Sequence, residues 1–296
     1  MENNNLNIPE IFTVSEIKRI ARSRLRSRYR QAFVPYLVYV LLTVLPLLVL
    51  TTISMLRNEP DISFGVSPSS PQVFGLILSD MFYIRIGYIV YSALVFGALK
   101  ISAAQLSLSI IREEIFSAAT LLRGFGQYWQ SLGGNILESV YRFLWSMVTL
   151  IPAVFILSIA LTANSFPLMA AGFVFIFIAI FFFILMTVRY TFWNYIAADD
   201  PNVRPTVTIA ASVSMLKGSE ISLLTMMLSF AGWAFLVVVG LTASIDIFIA
   251  GSGPVMWLLA GALFTACILG ITMLLIYIHI SLAVFYSAVS GNFSVR

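Results

Sequence analysis

Six stretches of about twenty or more apolar residues, with few charges inside them, run through this chain at residues 34–55, 86–111, 136–163, 167–197, 221–249 and 255–289. A helix rises about 1.5 Å per residue, so each stretch is long enough to cross the roughly 30 Å hydrocarbon layer of a bilayer. The apolar residues are continuous rather than alternating, which favours helices over a β-barrel, and a helix satisfies its own backbone hydrogen bonds in lipid. The rest of the composition agrees: 60% of the 296 residues are hydrophobic and 10% charged, where soluble domains carry about 25% charged residues. A soluble domain, a coiled coil and a disordered chain are all excluded. The expected fold is an all-α polytopic membrane bundle of six transmembrane helices, with short amphipathic helices on its cytoplasmic face.

Orientation follows from where the basic residues fall, because Lys and Arg concentrate in cytoplasmic loops. Lys18, Arg19, Arg22, Arg24, Arg26, Arg28 and Arg30 precede the first stretch. With six spans, the loops holding Arg112 and Arg123, then Arg204 and Lys217, and finally Arg296 lie on the same side. The other side takes Arg57, Arg85, Glu59, Asp61, Asp80 and Asp246. Both termini are therefore expected in the cytoplasm. More than thirty residues precede the first apolar stretch, so no cleavable signal peptide is expected there.

The chain divides into residues 1–33, a basic amphipathic helix, and residues 34–296, the membrane domain. Thr13 and Glu16 have the spacing of a capping box, which starts a helix by satisfying its free backbone donors. Beyond it Ile17, Ile20, Ala21, Leu25, Tyr29, Ala32 and Phe33 form an apolar stripe, and the seven cations occupy the remaining faces. Such a helix is expected either to lie in the headgroup boundary, its stripe in lipid and its cations on anionic headgroups, or to serve only as the positive cytoplasmic anchor of the first span. Membrane lipids are thus the expected partners, with a protein partner as an alternative. Nucleic acid is not expected, since a folded binding domain and stacking aromatics are missing. Farther on, Leu121, Leu122, Phe125, Tyr128, Trp129 and Leu132 repeat at helical spacing. Asp199-Asp200-Pro201-Asn202 reads as a turn, Pro205 as a first helical position, and Gly218 as a left-handed C-cap.

One set of residues resembles a bacterial family, domain of unknown function 975. Asp199, Asp200 and Pro201, then Ser212, Met215, Lys217 and Gly218, then Leu228-Ser229-Phe230-Ala231-Gly232-Trp233 are similar to its motifs, the last of them L-S-F-x-G-W. The basic N-terminal helix, Phe96-Gly97, Arg112-Glu113-Glu114, Ile151-Pro152 and Phe285-Tyr286 extend the likeness. The resemblance implies an inner-membrane protein of about six spans and implies no activity.

Few polar residues are candidates for chemistry. Lys100 lies within the second stretch, where a charge is expensive and normally faces the bundle interior or water. Glu138 and Arg142 are four apart on the third, the spacing of an intrahelical ion pair. Gln105, Asn194 and Arg189 accompany them. Lys100, Gln105, Glu138 and Arg142 are the ligand-pathway candidates; Glu138, Gln105 or a carbonyl is the expected partner of Lys100. His279 is the only histidine and reads as an interfacial hydrogen-bonding residue. With one cysteine, Cys267, the chain holds no thiolate metal site. It also lacks the zinc-protease, nucleophile-elbow and phosphate-loop motifs. No cofactor and no resident metal are expected. Two non-enzymatic readings stay open: a protein that binds or moves a small, lipidic or peptide ligand within its bundle, and a scaffold or accessory subunit holding anionic lipid or a partner through its basic helix. An enzyme acting on lipid or polyprenyl diphosphates through Asp199, Asp200 and a magnesium ion has low weight.

Overall fold

The structure is a computed structural model and describes residues 13–57, 86–117, 119–163, 166–251 and 253–291. Glu59, Asp61, Asp80, Arg85 and Arg296, named above in loops, lie outside the described residues. Among the described residues there are nine helices and no strand. They are α1 (Val14–Arg57), α2 (Ile86–Ile111), α3 (Thr120–Gly126), α4 (Tyr128–Thr162), α5 (Phe166–Val188), α6 (Trp193–Asp199), α7 (Pro205–Leu216), α8 (Glu220–Ala250) and α9 (Pro254–Val289). Five helical segments are long and apolar enough to cross a membrane: α2, α4, α8, α9, and the run Phe166–Asp199 formed by α5 and α6.

The boundaries depart from the sequence in two places. The fourth stretch is broken by tight turns at Arg189 to Phe192, where Tyr190 N–H donates to the Thr187 carbonyl at 3.2 Å and Thr191 N–H to that of Val188 at 3.0 Å. The expected boundary at residues 33 and 34 falls inside α1, a continuous helix of 44 residues with Pro35 and Pro46 within it. Elsewhere the local signals hold. Thr13 N–H donates to Glu16 Oε2 at 3.0 Å, completing the cap at the start of α1. Pro205 opens α7 and Gly218 takes a φ of +92°, a left-handed conformation that suits glycine.

The stripe of α1 is corrected by the structure. Ile17 is 1% exposed and Ala21 and Ala32 are fully buried, packed with α9 residues Ile276, Ile280 and Val284 in one core. It meets protein, not lipid, because the ends of the bundle supply an apolar surface that the small Ala21 and Ala32 fit closely. Lys18 and Tyr36 both meet α9 within two residues: the Lys18 carbonyl accepts from Tyr277 at 3.3 Å and the Tyr36 ring lies 5.5 Å from His279. Two helices running side by side would meet about eighteen residues apart at those positions. The first half of α1 therefore crosses α9. The second half joins α2, where Tyr36 exchanges a hydrogen bond with Ser107 at 2.8 Å and Tyr91 donates to the Leu42 carbonyl at 2.6 Å.

Helix α2 is the centre. Gly97, Ala98, Ser102, Ala103, Ala104 and Ser107 are buried in it, small side chains that let neighbouring helices approach. Helices α4 and α5 pair as one hairpin and α8 and α9 as another, with α2 also touching α1, α3, α4, α6 and α9.

Candidate functional site

Three polar constructions stand out, and the first is built around Glu138. Glu138 as a whole residue is 3% exposed on α4. It accepts from Lys100 Nζ at 2.7 Å, Arg142 at 2.6 Å and the Trp193 indole N–H at 2.9 Å. Lys100 also donates to Asn135 Oδ1 at 3.0 Å. Asn135 turns its amide N–H to the carbonyls of Ser92 and Ala93, at 3.1 and 3.3 Å. Those carbonyls lie in a π-helical turn, Ser92–Phe96, where the wider winding changes the hydrogen-bond register and leaves acceptors to be served from outside. Trp193 reaches Glu138 because Gly134 has no side chain; a Cβ there would run into the indole. Gln105 lies apart from this cluster, and its Oε1 is buried without a partner among the described residues.

The second construction clasps the helix ends. Asp199 pairs with Arg112 at 2.7 Å and accepts from the Tyr286 hydroxyl at 2.9 Å, joining the ends of α2, α6 and α9. Asp200 accepts from Asn202 N–H at 3.1 Å in the turn that follows α6, with Pro201 between them. The two carboxylates thus serve different local partners, and no group of three or more acidic, histidine or cysteine residues converges on a metal position among the described residues. Ser212 accepts from Phe192 N–H at 3.1 Å and donates to the Arg189 carbonyl at 2.8 Å, tying α7 to the turn before α6. Met215 packs against the core, and Lys217 caps α7 ahead of Gly218. Arg189 itself pairs with Glu220 at 3.3 Å. His279 lies half-buried between Tyr36 and Tyr39, with Nδ1 2.9 Å from the Leu275 carbonyl.

The third involves the basic half of α1. Arg28 donates to the carbonyls of Glu114 and Glu113 at 2.7 and 2.9 Å, and Arg24 pairs with the Glu113 carboxylate. Glu113 has a φ of +60°, in the left-handed region, where a residue with a Cβ is uncommon. These contacts line a polar cleft of about 680 Å³ between α1 and the loop after α2. Lys18, Arg19, Arg22, Arg26 and Arg30 enter no ion pair among the described residues. Arg19, Arg22, Arg26 and Arg30 are exposed. Lys18 instead places its ammonium 4.4 Å from the centre of the Phe230 ring. Desolvation and the neighbouring Arg22 hold its pKa below the ordinary lysine value.

The L-S-F-x-G-W residues stand beside this end of α1. Phe230 is buried under Lys18, Ser229 donates to the Met226 carbonyl of its own helix, and a Cβ at Gly232 would meet open space. Trp233, 66% exposed, faces outward. The sequence marked these positions by likeness alone; nothing local to α8 shows that Phe230 supports a cation more than two hundred residues earlier.

A family model described as a protein of unknown function, DUF975, matches residues 12–292. The chain belongs to that family. No curated protein and no solved structure matches it.

Proposed function

We propose that this protein is a non-enzymatic inner-membrane scaffold of six spans that holds anionic phospholipid against its cytoplasmic face through the basic half of α1. The observation that carries this reading is the division of labour among seven cations on one helix. Arg24 and Arg28 are tied to the loop after α2, while Arg19, Arg22, Arg26 and Arg30 are exposed and outside the ion pairs of the described residues. A helix fixed by its apolar stripe and by two arginines presents the remaining cations at little further cost in ordering. Each basic residue near an anionic surface contributes about 1 kcal/mol.

The sixth span is the second half of α1, from Val34 onward. Its presence gives an even number of crossings and leaves both termini in the cytoplasm, with the basic loops on the same side. The pairing of Lys100 with Glu138 favours this reading over a ligand pathway through the bundle, because the ammonium already has two acceptors. The separate partners of Asp199 and Asp200 likewise favour it over diphosphate chemistry.

Native mass spectrometry of the full chain, taken from vesicles holding equal phosphatidylglycerol and phosphatidylcholine, tests the proposal. Retained phosphatidylglycerol in excess is the expected result. Equal retention of the two lipids overturns it.

A further inference from the structure

Along the outer side of the α8–α9 hairpin runs a groove holding about 690 Å³, within the range of about 300–1,000 Å³ common for small-molecule sites. Its long walls are apolar. Trp233 stands on the α8 side, Cys267 and Met273 stand on the α9 side, and Lys18 and Arg22 belong to α1 where it crosses α9. Gly270 puts no side chain into the groove, and a Cβ there would already lie in ordinary contact with Val237, at 3.8 Å. The site therefore has a charged end and an apolar length.

This polarity selects the occupant. An apolar lipid would leave the two cations facing nothing of opposite charge, and a free inorganic anion would leave the groove walls unused. A zwitterionic lipid brings its own cation toward Lys18 and Arg22. An anionic phospholipid, the anionic amphiphile of the bilayer itself, satisfies both ends, with its phosphate at the cations and one acyl chain along Trp233 and Met273. Lys18 is positioned for this by the Phe230 ring beneath it and by Tyr277, which bonds its carbonyl and meets Phe230 edge-on at 5.3 Å. The partly desolvated Lys18 gains from an anion beside it.

We infer that the α8–α9 groove is a specific site for one anionic phospholipid, whose headgroup is held by Lys18 and Arg22 and whose acyl chain lies against Trp233, Met273 and the space above Gly270. This rests on the reading of α1 as an anionic-lipid surface and assigns to two of its residues a site of their own.

The test uses the full chain in vesicles containing phosphatidylglycerol or phosphatidylcholine with the same diazirine-bearing acyl chain, and locates the cross-links by peptide mass spectrometry. In the wild type, phosphatidylglycerol should label residues 229–237 and 266–277 about tenfold more than phosphatidylcholine. Lys18→Gln with Arg22→Gln should bring that ratio close to one. Gly270→Phe should remove labelling in the groove for both lipids while labelling of α4 and α5 persists, which also reports that the protein is folded. Equal labelling of the groove by both lipids in the wild type, or none by either, overturns the inference.

A triple change, Arg19→Gln with Arg26→Gln and Arg30→Gln, separates the two claims. It should lower the general phosphatidylglycerol preference and leave the groove ratio unchanged. If the groove ratio follows these three residues and not Lys18 and Arg22, the groove site fails and the surface reading stands. If the groove keeps its ratio in a protein with no general preference, the surface reading fails and the groove stands.

Discussion

Lys100 and Glu138 are 38 positions apart in sequence, and their charged atoms stand 2.7 Å apart between α2 and α4. The carboxylate is 4% exposed and the lysine side chain 32%, so the pair straddles the edge of the packed interior. Its strength comes from the full set of acceptors and donors around it. A buried ion left alone is costly, while one with every hydrogen bond satisfied is tolerated.

Removing either member should therefore destabilise the fold, and not equally. Glu138→Leu takes their shared acceptor from Lys100, Arg142 and the Trp193 indole N–H, so it should cost about 3–5 kcal/mol. Lys100→Met leaves Glu138 with Arg142 and Trp193 and should cost about 1–3 kcal/mol. Arg142→Met, at a side chain 47% exposed, should cost under about 1 kcal/mol. Thermal or denaturant unfolding in detergent gives the three values. The double change Lys100→Met with Glu138→Leu should cost less than the sum of its parts; strict additivity would deny the pairing.

The apolar stripe of α1 should behave as protein core. Ile17→Ala should destabilise by about 2–4 kcal/mol, and Ala21→Trp should sharply lower the folded yield, because Ala21 has no exposed surface. Exposed Arg22→Gln is the control and should leave unfolding unchanged. If Ala21→Trp folds as well as the wild type, the stripe faces lipid.

Asp199 should act as a clasp among three helices. Tyr286→Phe removes one of its two partners and Arg112→Gln the other; each should cost about 1–2 kcal/mol, and both together at least their sum, because Asp199 then keeps neither. Asp199→Asn should loosen the end of α6 in hydrogen exchange. Unchanged exchange there would contradict the clasp.

Much of this architecture was legible in the sequence, and the reason is locality. The ends of α8 and α9 lie within a residue of the apolar stretches, the Thr13–Glu16 cap forms at the start of α1, and Glu138 pairs with Arg142 one turn away. Each signal lies within a few residues of the structure it produces. The pairing of Lys100 with Glu138 was among the expected ones, since few acids are available to a lysine inside an apolar stretch. What stayed hidden depends on the way separate helices meet. Trp193 reaching Glu138 needs Gly134 opposite it. The continuity of α1 through residue 33 was obscured by a change in composition that has no counterpart in its backbone. The burial of Ala21 was hidden for a further reason: an apolar stripe has the same periodicity whether lipid or protein covers it.

Topology should follow the six-span reading. With Cys267 replaced, single cysteines at Ser15 and Arg204 should label with an impermeant maleimide from the cytoplasmic side, and one at Gly253 from the opposite side. Labelling of Ser15 and Arg204 from opposite sides would remove α1 from the spans.

Lipid spin-label selectivity measures most directly whether the exposed cations of α1 hold anionic lipid. In reconstituted full-length protein, spin-labelled phosphatidylglycerol should associate several-fold more strongly than phosphatidylcholine at low salt. The difference should shrink as salt is raised and fall further in the Arg19→Gln, Arg26→Gln, Arg30→Gln variant. Equal association of the two lipids with the wild type at low salt would contradict the account.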